Sequence, residues 1–143
     1  MKLIYKIIFT QTGFGVSLMR IVVGGIFFKA GAGKLFGWFG GYGLDAVFTY
    51  FQNLGIPFPV FNGYLVAITE FAGGLALILG FATRLTAFPF CIIMLIAIIT
   101  ADKDDPYYPL VLLMSSIALI DAGGGLFSLD KLLSRFKIFK KCL

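Results

Sequence analysis

Four long apolar runs with very few charges inside them restrict how this chain can fold more than any other feature does. They extend over about residues 14–36, 62–83, 85–101 and 106–127. A helix that crosses the hydrocarbon core of a bilayer needs roughly 20 predominantly apolar residues. In the whole chain 59% of the residues are hydrophobic and 13% are charged, whereas about a quarter are charged in a soluble domain. The sequence therefore predicts an all-α membrane protein, a four-transmembrane-helix bundle that forms a single domain over residues 1–143.

The positions of the basic residues predict the orientation of this bundle. If both termini are cytoplasmic, the cytoplasmic side carries most of the basic residues, among them Lys2, Lys6 and Arg84, whereas the outer side has Lys103 and several aspartates. Because cytoplasmic loops are enriched in Lys and Arg, we expect both termini in the cytoplasm. The tail, residues 131–143, alternates bulky apolar and basic residues, which is typical of a helix on the inner membrane face. The basic ends thus indicate contact with the lipid bilayer, not with nucleic acid.

The segment between the first two spans, residues 37–61, is long and rich in aromatic residues. Leu44–Leu54 could form a short helix in the outer interface, with Asp45 near its start. Two interpretations are open for this segment. It could be an aromatic belt at the membrane surface, which is the simpler interpretation, or a lid over a cavity.

Charged residues inside the spans are the candidates for a functional site, and they are Arg20, Lys29, Lys34, Glu70 and Asp121. A charge at the centre of a transmembrane helix costs about 2.5–3.5 kcal/mol, so a charge kept there usually has a partner or a task. At roughly 1.5 Å per residue, depth alone predicts the pairs Arg20–Asp121 and Lys29–Glu70. These residues could form an intramembrane polar pocket that binds a ligand, or ion pairs that only hold the bundle together. Lys34 is kept among the pocket residues, although extension towards the interface is its simpler interpretation.

The helical faces agree only in part with these pairs. Lys29 points about 180° away from Arg20 on the first span, so the two pairs would flank opposite sides of one helix. Either the helix bends near Gly24, or Lys29 faces another surface, such as a contact in a homo-oligomer. The pair Arg20–Asp121 is therefore the more consistent of the two.

Glycines accompany the charges in the first two spans. Gly24 and Gly31 share a helical face with Arg20, and Gly74 shares a face with Glu70. Because small residues let transmembrane helices approach closely, we expect these faces to point into the bundle. The glycines predicted to serve helix packing are Gly24, Gly31, Gly73, Gly74 and Gly80.

Histidine and paired cysteines are both absent from the sequence. Histidine is the usual axial ligand of b-type haem and the commonest metal ligand, so we expect neither haem nor a metal site. Cys91 and Cys142 lie far apart in the sequence, and Cys91 is interpreted as a small apolar filler. Any redox role would therefore need a diffusible organic carrier, such as a quinone, or a partner protein in the membrane.

Several short motifs follow one another in a specific order. The first is Arg20-x3-Gly24-x6-Gly31-x2-Lys34, which is followed by Gly55-Ile56-Pro57-Phe58-Pro59. Glu70 then precedes Gly73-Gly74, Gly80 and Thr83-Arg84, and the last motif is Gly123-x-Gly125-x2-Ser128-x-Asp130. This ordered set resembles the DoxX family of small four-span membrane proteins, although Lys29 stands where the family usually has an apolar residue. The resemblance implies a multi-pass protein of a bacterial inner membrane.

The resemblance also implies two classes of function. Some members of the family are subunits of oxidoreductases that couple the oxidation of sulfur compounds to quinones, and others belong to membrane complexes that handle oxidative and thiol stress. The first hypothesis is therefore a membrane subunit of a redox-related system, with a quinone or a thiol carrier bound between the helices by Arg20, Lys34 and Glu70. The alternative is a non-catalytic scaffold or assembly factor, and a transporter of a small solute comes third. A shared fold does not decide among them.

Overall fold

The computed structural model describes residues 13–100 and 106–135, and this part of the chain contains six α-helices and no strand. The helices are α1 Phe14–Phe36, α2 Gly43–Asn53, α3 Pro59–Leu79, α4 Thr83–Thr100, α5 Tyr107–Ala122 and α6 Leu129–Arg135. A short 3-10 turn, Trp38–Gly40, connects α1 to α2. The prediction of an all-helical bundle is confirmed, and a helix is present at Gly43–Asn53 where Leu44–Leu54 was predicted.

Three of the described helices are long and apolar enough to cross a membrane, and α5 is shorter. α1, α3 and α4 contain 23, 21 and 18 residues, whereas α5 contains 16. The first predicted span coincides with α1, but the fourth predicted span, 106–127, is too long. α5 ends at Ala122 because Gly123 follows with φ of 79° and leaves the helical path. The chain after Gly123 is consequently not part of a span, which changes where its polar residues lie.

Part of the predicted topology lies outside the described residues. This applies to Lys2 and Lys6 at the start of the chain, to Lys103 between α4 and α5, and to the part of the basic tail after Arg135, which includes Cys142. The cytoplasmic position of both termini therefore stays a prediction.

The helices α1 and α3 touch through their backbones. A Cβ atom added to Gly24 would lie 2.9 Å from the carbonyl oxygen of Gly74, and one added to Gly31 would lie 2.6 Å from the Cα of Phe71. Real Cβ atoms do not approach other heavy atoms this closely, so only glycine fits at these two positions. Such contacts between small residues are a usual way for transmembrane helices to associate.

The helix α4 is fastened to this pair by aromatic side chains. The buried rings of Phe27 and Phe90 are stacked, with 3.8 Å between their centroids. Gly73 provides the space for the Phe90 ring, because a Cβ there would lie 2.7 Å from its Cζ atom. α5 packs mainly on α4, so the described bundle consists of two packed helix pairs joined through Phe27 and Phe90.

The two ends of the bundle differ in chemistry, and each is named here by its residues. The start of α1, the end of α3, the start of α4 and the end of α5 meet at the Arg20 end. The end of α1, the turn Trp38–Gly40, α2 and the start of α3 meet at the cavity end. The predicted orientation would put the Arg20 end on the cytoplasmic side.

The close approach at Gly31 leads to a first prediction. We expect Gly31→Ala to lower the thermal stability of the purified protein in mild detergent by about 1–3 kcal/mol, because a methyl group there would force the α1 and α3 backbones apart. Gly25→Ala is the matched control, since nothing lies within 4 Å of a Cβ at Gly25 and alanine is the better helix former. Equal stability of the two variants, measured by circular dichroism, would show that α1 and α3 do not touch at Gly31.

Candidate functional site

A buried ion pair joins α1 to α3 within the spans. The Nζ atom of Lys34 donates to the Oε2 atom of Glu70. Glu70 is only 2% exposed, whereas the side chain of Lys34 is 29% exposed. Since very little of Glu70 is accessible to water, the ammonium group of Lys34 provides most of the solvation of its carboxylate. This contact brings together two of the charged residues that the sequence singled out.

The predicted pair Lys29–Glu70 is therefore wrong, and so is the extension of Lys34 to the interface. Side chains on a helix point towards its N-terminus, so Lys34 reaches back over the turn that contains Gly31. Gly31 is the residue that touches the backbone at Glu70 and Phe71. The shared face of Gly31 and Lys34 was the correct signal, and the depth of the Cα atoms was misleading because a lysine side chain spans more than one helical turn.

A cavity of about 1060 Å³ lies at the cavity end, and both Lys34 and Glu70 line it. Its walls come from α1, α2, α3, α4, the turn Trp38–Gly40 and the first turn of α5. Most of the lining side chains are aliphatic or aromatic, with Ile26, Val66, Ile93 and Met94 among the aliphatic ones. The ion pair thus lies in the wall of a predominantly apolar, partly open cavity, where electrostatic interactions are screened less than in bulk water.

The aromatic segment between α1 and α3 forms one wall of this cavity. Trp38, Tyr42, Tyr50 and Phe51 all line it. Their position is the one expected of a lid, but Trp38, Tyr42 and Tyr50 also expose large fractions of their surface, as residues of an aromatic belt would. The two interpretations are compatible, since one aromatic segment can face the cavity on one side and the membrane surface on the other.

Further polar residues and one more charge line the cavity. Lys29 lies on the wall with an exposed side chain. Tyr108, in the first turn of α5, brings a phenol group, and Asn62 of α3 donates through Nδ2 to the carbonyl oxygen of Pro57, at 2.6 Å. Lys29, Lys34 and Glu70 are therefore gathered around a single enclosure, although Lys29 points away from the face that carries Lys34.

Arg20 is the centre of a second polar cluster, at the opposite end of the bundle. Its side chain is 0% exposed, and its Nη2 atom donates to the carbonyl oxygen of Phe127. Asp130 lies close enough to interact with its charge electrostatically. Within the described part of the chain, the Nε and Nη1 atoms of Arg20 have no hydrogen-bond partner. Arg20 thus binds the segment that follows α5, and it does not line the cavity.

The predicted pair Arg20–Asp121 is wrong because α5 is shorter than expected. Depth was counted from Phe127, but α5 ends at Ala122, so Asp121 lies at the helix end with an exposed side chain. Its backbone carbonyl accepts a hydrogen bond from Nη2 of Arg84, at 2.9 Å. The acidic residue whose charge acts on Arg20 is Asp130, which the sequence placed in a motif but in no predicted pair, because it lies beyond the spans.

Asp130 also caps the start of α4. Its carboxylate accepts hydrogen bonds from the backbone N–H groups of Ala82, at 2.7 Å, and Thr83, at 3.1 Å. The first N–H groups of a helix have no partner within the helix, and a carboxylate placed there satisfies them and interacts favourably with the helix dipole. The backbone N–H of Asp130 in turn donates to the carbonyl oxygen of Gly80, at 3.1 Å. The glycines of Gly123-x-Gly125 were the available signal, because they break α5 and let the chain return to the bundle.

The five predicted pocket residues therefore divide into two groups. Lys29, Lys34 and Glu70 surround the cavity, whereas Arg20 and Asp121 lie at the Arg20 end. Over residues 13–100 and 106–135, no group of three or more His, Cys, Asp or Glu residues is arranged to hold a metal ion. The arrangement at the cavity suits an amphiphilic organic ligand, with apolar walls for its body and an ion pair for its head.

The comparison with known proteins agrees with this architecture. The family model DoxX matches residues 15–103. A protein of Bacillus subtilis (strain 168) named "Putative oxidoreductase CatD" is 31% identical over 121 residues, which cover 81% of this chain and 84% of that protein. "Inner membrane protein YqjF" of Escherichia coli (strain K12) is 40% identical over 73 residues, 51% of this chain and 50% of that protein. No solved structure shows significant similarity.

These matches and the apolar helices together identify the class of protein. The chain is a multi-pass protein of the bacterial inner membrane type, as the named relative and the helix lengths both indicate. The family model covers more than half of the chain, and one relative with 31% identity covers most of it. The chain therefore belongs to the DoxX family.

Proposed function

We propose that this protein is a membrane subunit of a redox-related system and that its cavity binds a quinone-class ligand between the helices. The observation that carries this proposal is the Lys34–Glu70 ion pair in the wall of a predominantly apolar cavity of about 1060 Å³. Small-molecule sites in proteins usually have volumes of about 300–1,000 Å³, apolar walls and a few polar groups that orient the ligand. The cavity has such walls and polar groups, and its volume is slightly above this range.

The lining residues fit the chemistry of a quinone. A quinone has a flat ring, carbonyl oxygens that accept hydrogen bonds, and an apolar tail. Trp38 and Tyr50 offer aromatic surface to the ring, and aliphatic residues such as Met94 offer surface to the tail. The ammonium group of Lys34 can donate a hydrogen bond to a carbonyl oxygen, and Glu70 beside it can hold a proton on its carboxylate. When bound, the quinone would supply the capacity to accept electrons, which a partner subunit would provide.

The name of one relative supports the redox part of this proposal. CatD of Bacillus subtilis is named as an oxidoreductase, and the alignment covers 84% of that protein. A name of this kind concerns the relative, so the proposal for this chain depends on the cavity and needs a direct binding test.

Trp38 makes such a test possible, since it is the only tryptophan in the sequence and it lines the cavity. Quinones quench indole fluorescence at short range. We expect a short-chain ubiquinone analogue, titrated into the purified protein in neutral detergent, to quench Trp38 in a saturable way. Glu70→Gln and Lys34→Met should each weaken this binding about tenfold, the effect of losing one hydrogen bond to a charged group.

Asp121→Asn is the matched control for Glu70→Gln, because it removes a carboxylate that is exposed and does not line the cavity. This variant should bind the quinone as the unmodified protein does. If quenching is not saturable in the unmodified protein, the quinone proposal is wrong, and a scaffold or assembly factor becomes the better description.

A further inference from the structure

Among the described residues of the cavity wall, the positive charges outnumber the negative ones. Among the described residues that line the cavity, the charged ones are Lys29, Lys34 and Glu70. Glu70 neutralises Lys34 in their ion pair, which leaves Lys29 without a counter-charge among the described residues of the wall. No carboxylate within residues 13–100 and 106–135 forms an ion pair with Lys29. The described part of the cavity therefore has a net charge of +1, carried by Lys29.

The position of Lys29 makes this excess charge informative. Lys29 lies in the span α1, and the nearby wall includes Ile26, Ala30 and Ile93. Charged residues within spans are expensive and usually mark a ligand or ion pathway. The side chain of Lys29 is exposed and lines the cavity, so its ammonium group is accessible to a ligand. An anionic group that enters the cavity can therefore reach it, and the apolar walls screen their attraction less than bulk water does.

We propose that the cavity also accepts amphiphiles with an anionic head group, and that Lys29 is the residue that recognises the charge. The ligand class is an acyl chain that ends in a carboxylate or a phosphate, with the chain against the apolar wall and the head at the Lys29 ammonium. This proposal goes beyond the binding of an uncharged quinone, and it shares with that proposal only the location of the cavity. Lys34 cannot recognise an anionic head group in the same way, because its ammonium group is already paired with Glu70.

The test uses Trp38 again, with brominated amphiphiles as short-range quenchers. Dibrominated stearic acid and its methyl ester have the same chain and differ in the charge of the head. In the unmodified protein, in a neutral detergent at a pH where the acid is ionised, we expect the acid to bind about tenfold more tightly than the ester. Lys29→Leu should remove this preference, and Lys29→Arg should keep it.

Lys131→Leu is the matched control, since it removes the same charge from α6, away from the cavity. It should keep the preference for the acid. Equal binding of acid and ester by the unmodified protein would overturn the proposal, and so would a preference that survives Lys29→Leu. Circular dichroism of each variant verifies that a loss of binding is not a loss of folding.

Two further titrations separate the possible sources of the ligand and the two proposals. Brominated phosphatidylglycerol, compared with brominated phosphatidylcholine, tests a membrane lipid as the source. A preference for phosphatidylglycerol that depends on Lys29 assigns the site to an anionic lipid, and a preference limited to stearic acid assigns it to a free fatty acid. Quinone quenching without any anion preference would overturn this inference alone, whereas an anion preference without quinone quenching would overturn only the quinone proposal.

Discussion

Asp130→Ala is expected to lower the free energy of unfolding by about 2–4 kcal/mol, because it removes the charged acceptor of two backbone N–H groups and a negative charge near a buried guanidinium. Asp130 is 4% exposed, and the Arg20 side chain beside it is fully buried. Without Asp130 the guanidinium would keep the Phe127 carbonyl as a partner but lose the nearby negative charge. The backbone N–H groups of Ala82 and Thr83 would lose their acceptor at the same time, which by itself costs about 0.5–2 kcal/mol.

Unfolding in mixed micelles, followed by circular dichroism, measures this loss. Asp121→Ala is the control, because it removes an acidic residue near the same end of the bundle whose side chain is exposed. Its stability should change by less than about 0.5 kcal/mol. If the two variants are equally stable, neither the hydrogen bonds of Asp130 to the start of α4 nor its charge near Arg20 stabilises the protein.

A double variant distinguishes the effect of the Asp130 charge on Arg20 from the effect of its hydrogen bonds to the start of α4. Arg20→Met in the Asp130→Asn background removes both charges and retains an amide oxygen that can accept from the backbone of α4. Since buried opposite charges can often be replaced by uncharged groups at little cost, this protein should be more stable than Asp130→Asn alone. Lower stability of the double variant would mean that the interaction of Arg20 with Phe127 matters more than its charge.

The fold could be predicted from the sequence because its main determinants are local. Long apolar runs fix which segments are helices in a membrane, and the bounds of α1 agree with the predicted first span. Glycine positions also carried tertiary information. Gly24 and Gly31 on one helix, with Gly74 on the other, lie at the α1–α3 contact. A small residue on an apolar face has few other uses in a membrane.

The partners of the charged residues could not be predicted in the same way. Their assignment depended on where each helix ends and on how far each side chain reaches. The end of α5 at Ala122 moves Asp121 out of the bundle, and the chain after Gly123 returns Asp130 to a position that no helical periodicity describes. Motif order was the better guide, since Gly123-x-Gly125-x2-Ser128-x-Asp130 contains both the residues that break α5 and the acidic residue whose charge acts on Arg20.

The set of residues that line the cavity was even harder to predict from the sequence. Its lining extends from Ile26 to Tyr108 and includes residues of five different helices. The sequence indicated the charges and the aromatic segment as separate features, and it did not show that both line one cavity. Their proximity depends on how α2 folds back over the ends of α1 and α3, which is a property of the packed molecule.

Lys34→Met is expected to lower the free energy of unfolding by about 3 kcal/mol, because it leaves the carboxylate of Glu70 buried without its partner. Glu70→Gln should cost less, since the amide can still accept a hydrogen bond from Lys34, whose side chain is partly exposed. If the two side chains interact directly, the variant with both substitutions should lose about 1–3 kcal/mol less stability than the sum of the two single losses. Strict additivity would mean that the ion pair does not form in the membrane.

Lys29→Met is the matched control for Lys34→Met, since it makes the same substitution on the same helix and in the wall of the same cavity. Lys29 has no ion-pair partner in the described part of the chain, so its replacement leaves no carboxylate there uncompensated. Removing an unpaired charge from a span should leave stability unchanged or raise it slightly. Replacing Lys34 and replacing Lys29 are therefore expected to have different effects. Loss of Lys34 should reduce both stability and quinone binding, whereas loss of Lys29 should change only which head groups the cavity accepts.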